Sequence, residues 1–276
     1  MKKLVASLLP AVLALHMQAQ ELYVYTDPAS NVPARSVSVK LMDHFVTRDN
    51  IYSRFTHRLM PQVSVGVSKK FMLRAGASFS NMHTTRFKYE SVSLYAKYRF
   101  LSVDDVHKHF RMAVFADASA TRAPFHYDEI TLMGDKDGVE AGLIATQLWH
   151  KLAVSGTVSH IQVLDKSRKN TNVIYIPQRK YQSLNYSLSA GYLLFPKVYS
   201  DYKQVNLNLY LEILGQQTLD RNSGYLDIAP AFQLIFGSNT KFNAGFRFQA
   251  AGNMQRMATN SWQISLERTF LNVFKK

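Results

Sequence analysis

The chain has 276 residues, 47% of them hydrophobic and 12% aromatic, with 33 Lys and Arg against 19 Asp and Glu, and its mean hydropathy is only -0.15. The length suits one domain, and the hydropathy excludes a helical membrane bundle, so any insertion into a bilayer has to come from strands. The lack of cysteine excludes disulfides, thiolate metal sites, a cysteine nucleophile and an amino-terminal lipid on cysteine, while the formal charge of +14 leaves nucleic acid, acidic headgroups or an anionic solute for its distribution to separate.

At the amino terminus, Lys2 and Lys3 precede an apolar run from Leu4 to Leu15, and the small Ala19 stands before Gln20 and Glu21. This pattern predicts a secretory signal peptide over 1–19, because the run is shorter than the roughly 20 apolar residues of a membrane helix. Residues 20–35 contain Pro28 and Pro33 and read as an extended lead-in, either periplasmic or tucked into a lumen. Their opening, 21–26, resembles the coupling box of energised outer-membrane receptors, but no plug domain follows it.

From Ser36 to the carboxyl terminus, apolar residues alternate with polar or small ones, most clearly over 62–68, 91–100 and 205–213. A two-residue period gives each strand one apolar and one polar face. The predicted strands are 36–46, 58–68, 71–82, 88–100, 109–121, 138–149, 151–163, 182–194, 205–218, 224–236, 241–252 and 261–271. Tight links after strands two, six and ten, at Lys69-Lys70, His150 and 237–240, alternate with long ones over 122–137 and 166–181, although the links 101–108 and 195–204 are longer than a periplasmic turn needs.

Alternation alone fits a soluble sandwich as well as a membrane barrel. The export signal, strands longer than the usual five or six residues, and aromatics near strand ends favour the barrel: Tyr98, Phe100, Trp149, Tyr192, Phe195, Tyr225, Phe236, Trp262 and Phe270. The last strand, 262–270, resembles the terminal targeting strand of outer-membrane barrels, which implies the barrel-assembly machinery as a partner. The fold expected over 36–276 is therefore all-β, a transmembrane antiparallel up-and-down β-barrel of about twelve strands, in the bacterial outer membrane. With Ala19-Gln20 at the predicted cleavage point, the chain resembles the porin- or transporter-like outer-membrane barrels of Bacteroidota, a resemblance that implies fold far more than function.

Strand parity places Lys40, Arg58, Arg74, Lys97, Arg99, Arg111, Asp117, Glu140, Glu212, Asp227, Arg247 and Glu267 on the lumenal face. Such charges either pair across a filled interior or form a constriction, and Arg74, Lys97, Arg99 and Arg111 on three consecutive strands are the candidate constriction. Lys166, Arg168, Lys169, Arg179 and Lys180 sit in one outer loop, where lipopolysaccharide phosphates would meet them. No nucleic-acid recognition motif is present.

Metal-ligand candidates occur as Met82 with His83, as His126 with Asp128 and Glu129, and as Met254 with Met257, without ligand spacing. Residues 134–138 resemble a fragment of a calcium loop but read as a turn. No cofactor is expected. His160 lies on the opposite parity to Ser155 and Ser159, which removes the serine-histidine arrangement of the outer-membrane phospholipase. The expected function is a channel or passive transporter for small polar solutes, anionic ones among them. The alternatives are a plugged structural or surface-interaction barrel binding lipopolysaccharide, and a hydrophobic-solute transporter opening laterally at Pro230, which otherwise marks a bulge.

Overall fold

The computed structural model describes residues 23–46, 55–106, 108–124, 127–164, 180–196 and 204–274. Twelve strands run in chain order: β1 Ser36–Val46, β2 Thr56–Gly66, β3 Phe71–Ser80, β4 Lys88–Asp104, β5 Lys108–Thr121, β6 Gly138–Trp149, β7 Leu152–Val163, β8 Gln182–Phe195, β9 Asn206–Thr218, β10 Gly224–Phe236, β11 Thr240–Gly252 and β12 Asn260–Phe270. Each pairs antiparallel with its sequence neighbour, and β1 pairs β12, so the sheet closes on itself and leaves no edge.

Closure fixes what alternation means here. In β1, Ser36, Ser38 and Met42 are buried while Val39 and Leu41 are exposed, and the same inside-out order recurs around the wall. Leu94, Leu188 and Leu266 each leave more than half of their surface uncovered on the outer face, at 58%, 52% and 55%. A belt of that kind is an interaction surface rather than scattered exposure, and hydrocarbon is the solvent that suits it.

One end of the barrel carries the short links and the carboxyl terminus. An aromatic ring of Tyr98, Phe100, Trp149, Tyr192, Phe195, Phe236 and Phe270 is exposed there. At the other end the rings touch in chains, with Phe55, His57 and Phe87 stacked at 5.6 and 4.9 Å and Phe246 against Trp262 at 4.6 Å. These are two interfacial girdles. Tyr225, expected in a girdle, instead faces the lumen beneath Arg256, whose guanidinium lies 3.7 Å from the ring centroid.

Two irregularities explain where the sequence pattern faded. A bulge between Arg99 and Leu101 shifts the register of β4 against β5, so alternation breaks although the strand continues to Asp104. The link expected over 101–108 is therefore only 105–107. Pro230 lies exposed within β10 and keeps register with Leu211 of β9, and the bulge of this region sits between Leu226 and Asp227 instead. The strand order closes around the barrel, but on the β11 side the ladder passes from Ile228 to Ala231 without partners for Ala229 and Pro230.

Candidate functional site

The lumen is occupied from both ends. From the short-turn end, residues 23–35 enter beside β2, where the Arg35 N–H donates to the Gly66 carbonyl at 2.6 Å. A Cβ on Gly66 would come within 2.1 Å of the Pro33 carbonyl oxygen, so only glycine lets this strap pass so close to the wall. Extended by its prolines, the strap crosses the barrel to β9. There Glu212, at 0% exposure, accepts the N–H groups of Val24, Tyr25 and Thr26 at 2.8, 2.9 and 3.0 Å and the Thr26 hydroxyl at 2.7 Å.

The wall supplies partners along the whole path. Lys97 donates its Nζ to the carbonyls of Pro28 and Ser30, both at 2.7 Å, and Arg111 donates to Ser30 Oγ at 2.9 Å. Arg74 pairs with Asp27 at 2.9 Å. Burial opposes ionisation of Asp27, yet Arg74 and Lys97 hold its carboxyl well below the usual carboxylate range. Thr146 and Gln263 bind the strap backbone at Ala29 and Val24, at 2.9 and 2.7 Å. Backbone polar groups in a lumen need such partners, and the strap's are supplied by β4, β6, β9 and β12, while β3 and β5 bind its Asp27 and Ser30 side chains.

From the opposite end, residues 127–137, between β5 and β6, fold inward as a lid. Ile130 and Leu132 pack against Ile161 and Val163, and the Gln216 side chain both accepts from the Ile130 N–H and donates to its carbonyl, at 2.8 and 2.7 Å. Gly134 takes φ +113, a conformation open to glycine, with its would-be Cβ against Arg58 and Ser78. The turn brings Asp135 onto Arg58, which also binds Glu90 at 2.9 Å. Lys136, only 1% exposed, donates to the Tyr127 carbonyl at 2.6 Å, and burial pushes its ammonium down to about 7.

Beside the lid, Arg256 binds Asp227 through two bonds of 2.7 Å and Glu129 at 3.3 Å. Arg247 joins the same pair of carboxylates. Bidentate Arg-carboxylate contacts of this kind lock geometry as well as charge.

Between strap and lid lies a chamber of about 290 Å³. Its lining includes Lys40, Arg58, Arg74, Arg247 and Arg256 opposed by Asp27, Asp117, Glu129, Asp135 and Glu140, with His44, Tyr25, Tyr95 and Gln263 among the neutral groups. Electrostatically it is a balanced compartment.

The sequence-expected lumenal residues divide into three groups. Lys40, Arg58, Arg74, Asp117, Glu140 and Arg247 line the chamber. Lys97, Arg111, Glu212, Asp227 and Glu267 serve strap or wall contacts, the last paired with Lys241 at 3.1 Å and accepting from Ser38 at 2.6 Å. Arg99 sits at the short-turn rim, where it donates to the Lys69 carbonyl at 2.8 Å. Arg74, Lys97 and Arg111 are thus brought together, but around the strap.

In the outer loop, Lys166, Arg168, Lys169 and Arg179 lie outside the described residues. Lys180, expected on that lipopolysaccharide-facing loop, is 6% exposed and pairs with Asp220, because the chain has already turned into the wall before β8. His126 is likewise outside the described residues. Met82 and Met257 pack with Val46 and Tyr127 in an apolar cluster, His83 pairs with Glu90 and Asp135, and among the described residues no group of three side chains is placed to hold a metal ion. His160 points outward while Ser155 and Ser159 are buried inside.

Asp27, Glu90, Lys241 and Arg256 were not singled out by the sequence, and Glu129 and Asp135 were weighed only as metal ligands or a turn, not as ion-pair partners. Lys241 shares parity with Arg247 and could have been. A bulge between Ser78 and Phe79 in the β3–β4 pairing turns both Glu90 and Ser91 inward, which no two-residue period anticipates.

No protein-family model matches the chain, and no curated protein matches it in sequence. Among solved structures it is similar to an outer membrane channel from Pseudomonas putida F1, with a TM-score of 0.57 at 12% identity over 89% of this chain and 100% of that one. It is also similar to the KdgM porin, with a TM-score of 0.51 at 10% identity over 84% of this chain and 99% of that one. The fold is that of porin-like outer-membrane barrels. A likeness at this identity is one of architecture, a closed antiparallel wall with its charges inside, and leaves the chemistry to the lumen.

Proposed function

We propose that this chain is a bacterial outer-membrane channel for small polar solutes, with the chamber between strap and lid as the solute compartment. The observation that carries the reading is the charged chamber itself. Among the described residues, Lys40 on its wall stands opposite Glu267 without a side-chain hydrogen bond, and Asp117 Oδ1 is buried without a hydrogen-bond partner, inside a barrel whose outer face suits lipid. A purely structural interior would pair those groups. Solutes carrying an anionic group fit the Lys40 and Arg74 side of the compartment. The Bacteroidota resemblance rests on Ala19-Gln20 and adds nothing to the site.

The test is flux. Proteoliposomes holding the folded protein should take up small sugars and amino acids, and removal of 23–33 should raise the rate several-fold. Uptake no faster than through protein-free vesicles, with and without the strap, would overturn the channel reading.

The strap and lid favour a second reading, a filled barrel acting through its outer surface, with lipopolysaccharide bound by Lys166, Arg168, Lys169 and Arg179. Replacing those four by Gln should then weaken binding to lipopolysaccharide vesicles and leave solute uptake unchanged.

A further inference from the structure

We propose that the row Tyr95, Asp117 and Glu140 on the chamber wall binds the primary ammonium group of a small solute. This deepens the channel reading and rests on it, since it names the class of solute that would stop in the compartment.

The row is built by register. Arg74 of β3 pairs with Tyr95 of β4, Tyr95 with Asp117 of β5, and Asp117 with Glu140 of β6. Adjacent inward positions on adjacent strands put the three acceptors side by side, and all of them line the chamber. Two carboxylates directly opposite each other destabilise a sheet, so the pair has a cost that the barrel carries without a structural return.

Partners within the protein are incomplete along this row. Glu140 accepts from Ser159 and Asn185. Asp117 Oδ1 is buried without a hydrogen-bond partner, and so is the hydroxyl of Tyr95, a residue only 4% exposed. Buried polar atoms left in this way are rare and call for a reason. Arg74, at the head of the row, acts on Asp117 through space without a hydrogen bond to it: its guanidinium pairs with Asp27 and lies 4.1 Å from the Tyr95 ring centroid.

An ammonium group has three N–H donors and no acceptor. Its three donors suit a site of two carboxyl groups and a phenol oxygen, and its charge is opposite in sign to theirs. A calcium ion needs six to eight oxygen ligands, and the described residues offer no third carboxylate or histidine arranged with this pair. The chamber volume of about 290 Å³ stands at the small end of ligand pockets, which limits the solute to about ten heavy atoms at about 30 Å³ per water-sized group.

Isothermal titration of the folded protein in detergent at pH 7 with ethanolamine, ethylene glycol and glycolate tests the assignment, since the three differ mainly in the group presented. Ethanolamine should bind saturably and at least tenfold more tightly than the other two. Asp117→Asn and Glu140→Gln should each weaken it tenfold or more, and Tyr95→Phe, which keeps the ring packing against Phe115, several-fold. Heat-modifiable gel mobility identifies folded variants, and Tyr95→Phe decides the matter if the carboxamide variants do not fold. Equal binding of the three probes, unchanged affinity in Tyr95→Phe, or displacement of ethanolamine by equimolar calcium would overturn the proposal. Saturable binding without flux would keep the site and remove the channel, whereas flux without saturable binding would do the reverse.

Discussion

Glu212 illustrates how the lumen uses single side chains. It is a fully buried carboxylate whose donors are three strap N–H groups and the hydroxyls of Thr26 and Ser189. Glu212→Ala strands those donors, and bonds to a charged acceptor contribute about 1.5–3 kcal/mol each. Thiol labelling of a Thr26→Cys reporter should therefore speed up by roughly a hundredfold or more, with Glu212→Gln in between; unchanged labelling would mean that the strap is held elsewhere. Gly66→Ala tests the opposite end, because its Cβ would meet the Pro33 carbonyl at 2.1 Å. It should loosen the strap without unfolding the wall, read as protease cleavage within 23–35 while the barrel keeps its folded gel mobility. At this scale, strand parity made Lys40, Arg74, Asp117, Glu140, Glu212 and Arg247 legible as inward residues. Their partners were not, since Asp27, Glu129 and Asp135 lie on segments with no period, and which wall residue they reach depends on tertiary folding alone.

The two inserted segments are the elements that set the barrel's behaviour. The strap could be read as extended from Pro28 and Pro33, and a lumenal position was one of two expectations for it. The lid was legible only as a long link over 122–137. Its Ile130 and Leu132 look unremarkable in sequence until Gln216 is seen to bind the Ile130 backbone, and the segment 134–138 reads only as a turn until Arg58 is seen to receive Asp135. Lys136 makes the lid's seating sensitive to pH. Buried, its ammonium is pushed from the ordinary 10.5 down to about 7, whereas in a displaced lid it would regain the higher value. Between about pH 7 and 10.5 the displaced state thus binds a proton that the seated state lacks, so seating strengthens as pH rises through that window and stays at its weakest below it. Uptake into proteoliposomes should fall as pH goes from 7 to 10, and Lys136→Met should flatten the profile. A profile that rises with pH, or one unaffected by the substitution, would contradict this role for the lid.

For the whole molecule, the fold was readable because a closed barrel imposes one rule on every strand, so errors in single residues do not accumulate. All of the expected strands correspond to observed ones, and the extension of β4 beyond the expected end at Phe100 accompanies the bulge at Arg99 and Leu101. The outer face yields its own prediction. Leu188 is exposed midway along β8, and Leu188→Arg should destabilise the barrel in lipid by about 2–4 kcal/mol, the cost of a cation near the bilayer midplane. Reversible urea unfolding in vesicles measures it, and a change near zero would place this face away from hydrocarbon. The proposed channel turns on whether the strap closes the barrel. The chain has no cysteine, and Thr26 Oγ1 lies 2.8 Å from Ser189 Oγ, so the Thr26→Cys, Ser189→Cys pair can pin the strap to β8 by a single disulfide. Planar-bilayer conductance of that double variant should be lowest when oxidised and rise several-fold on reduction. Conductance that is high and identical in both states would contradict the strap as the closure of the channel.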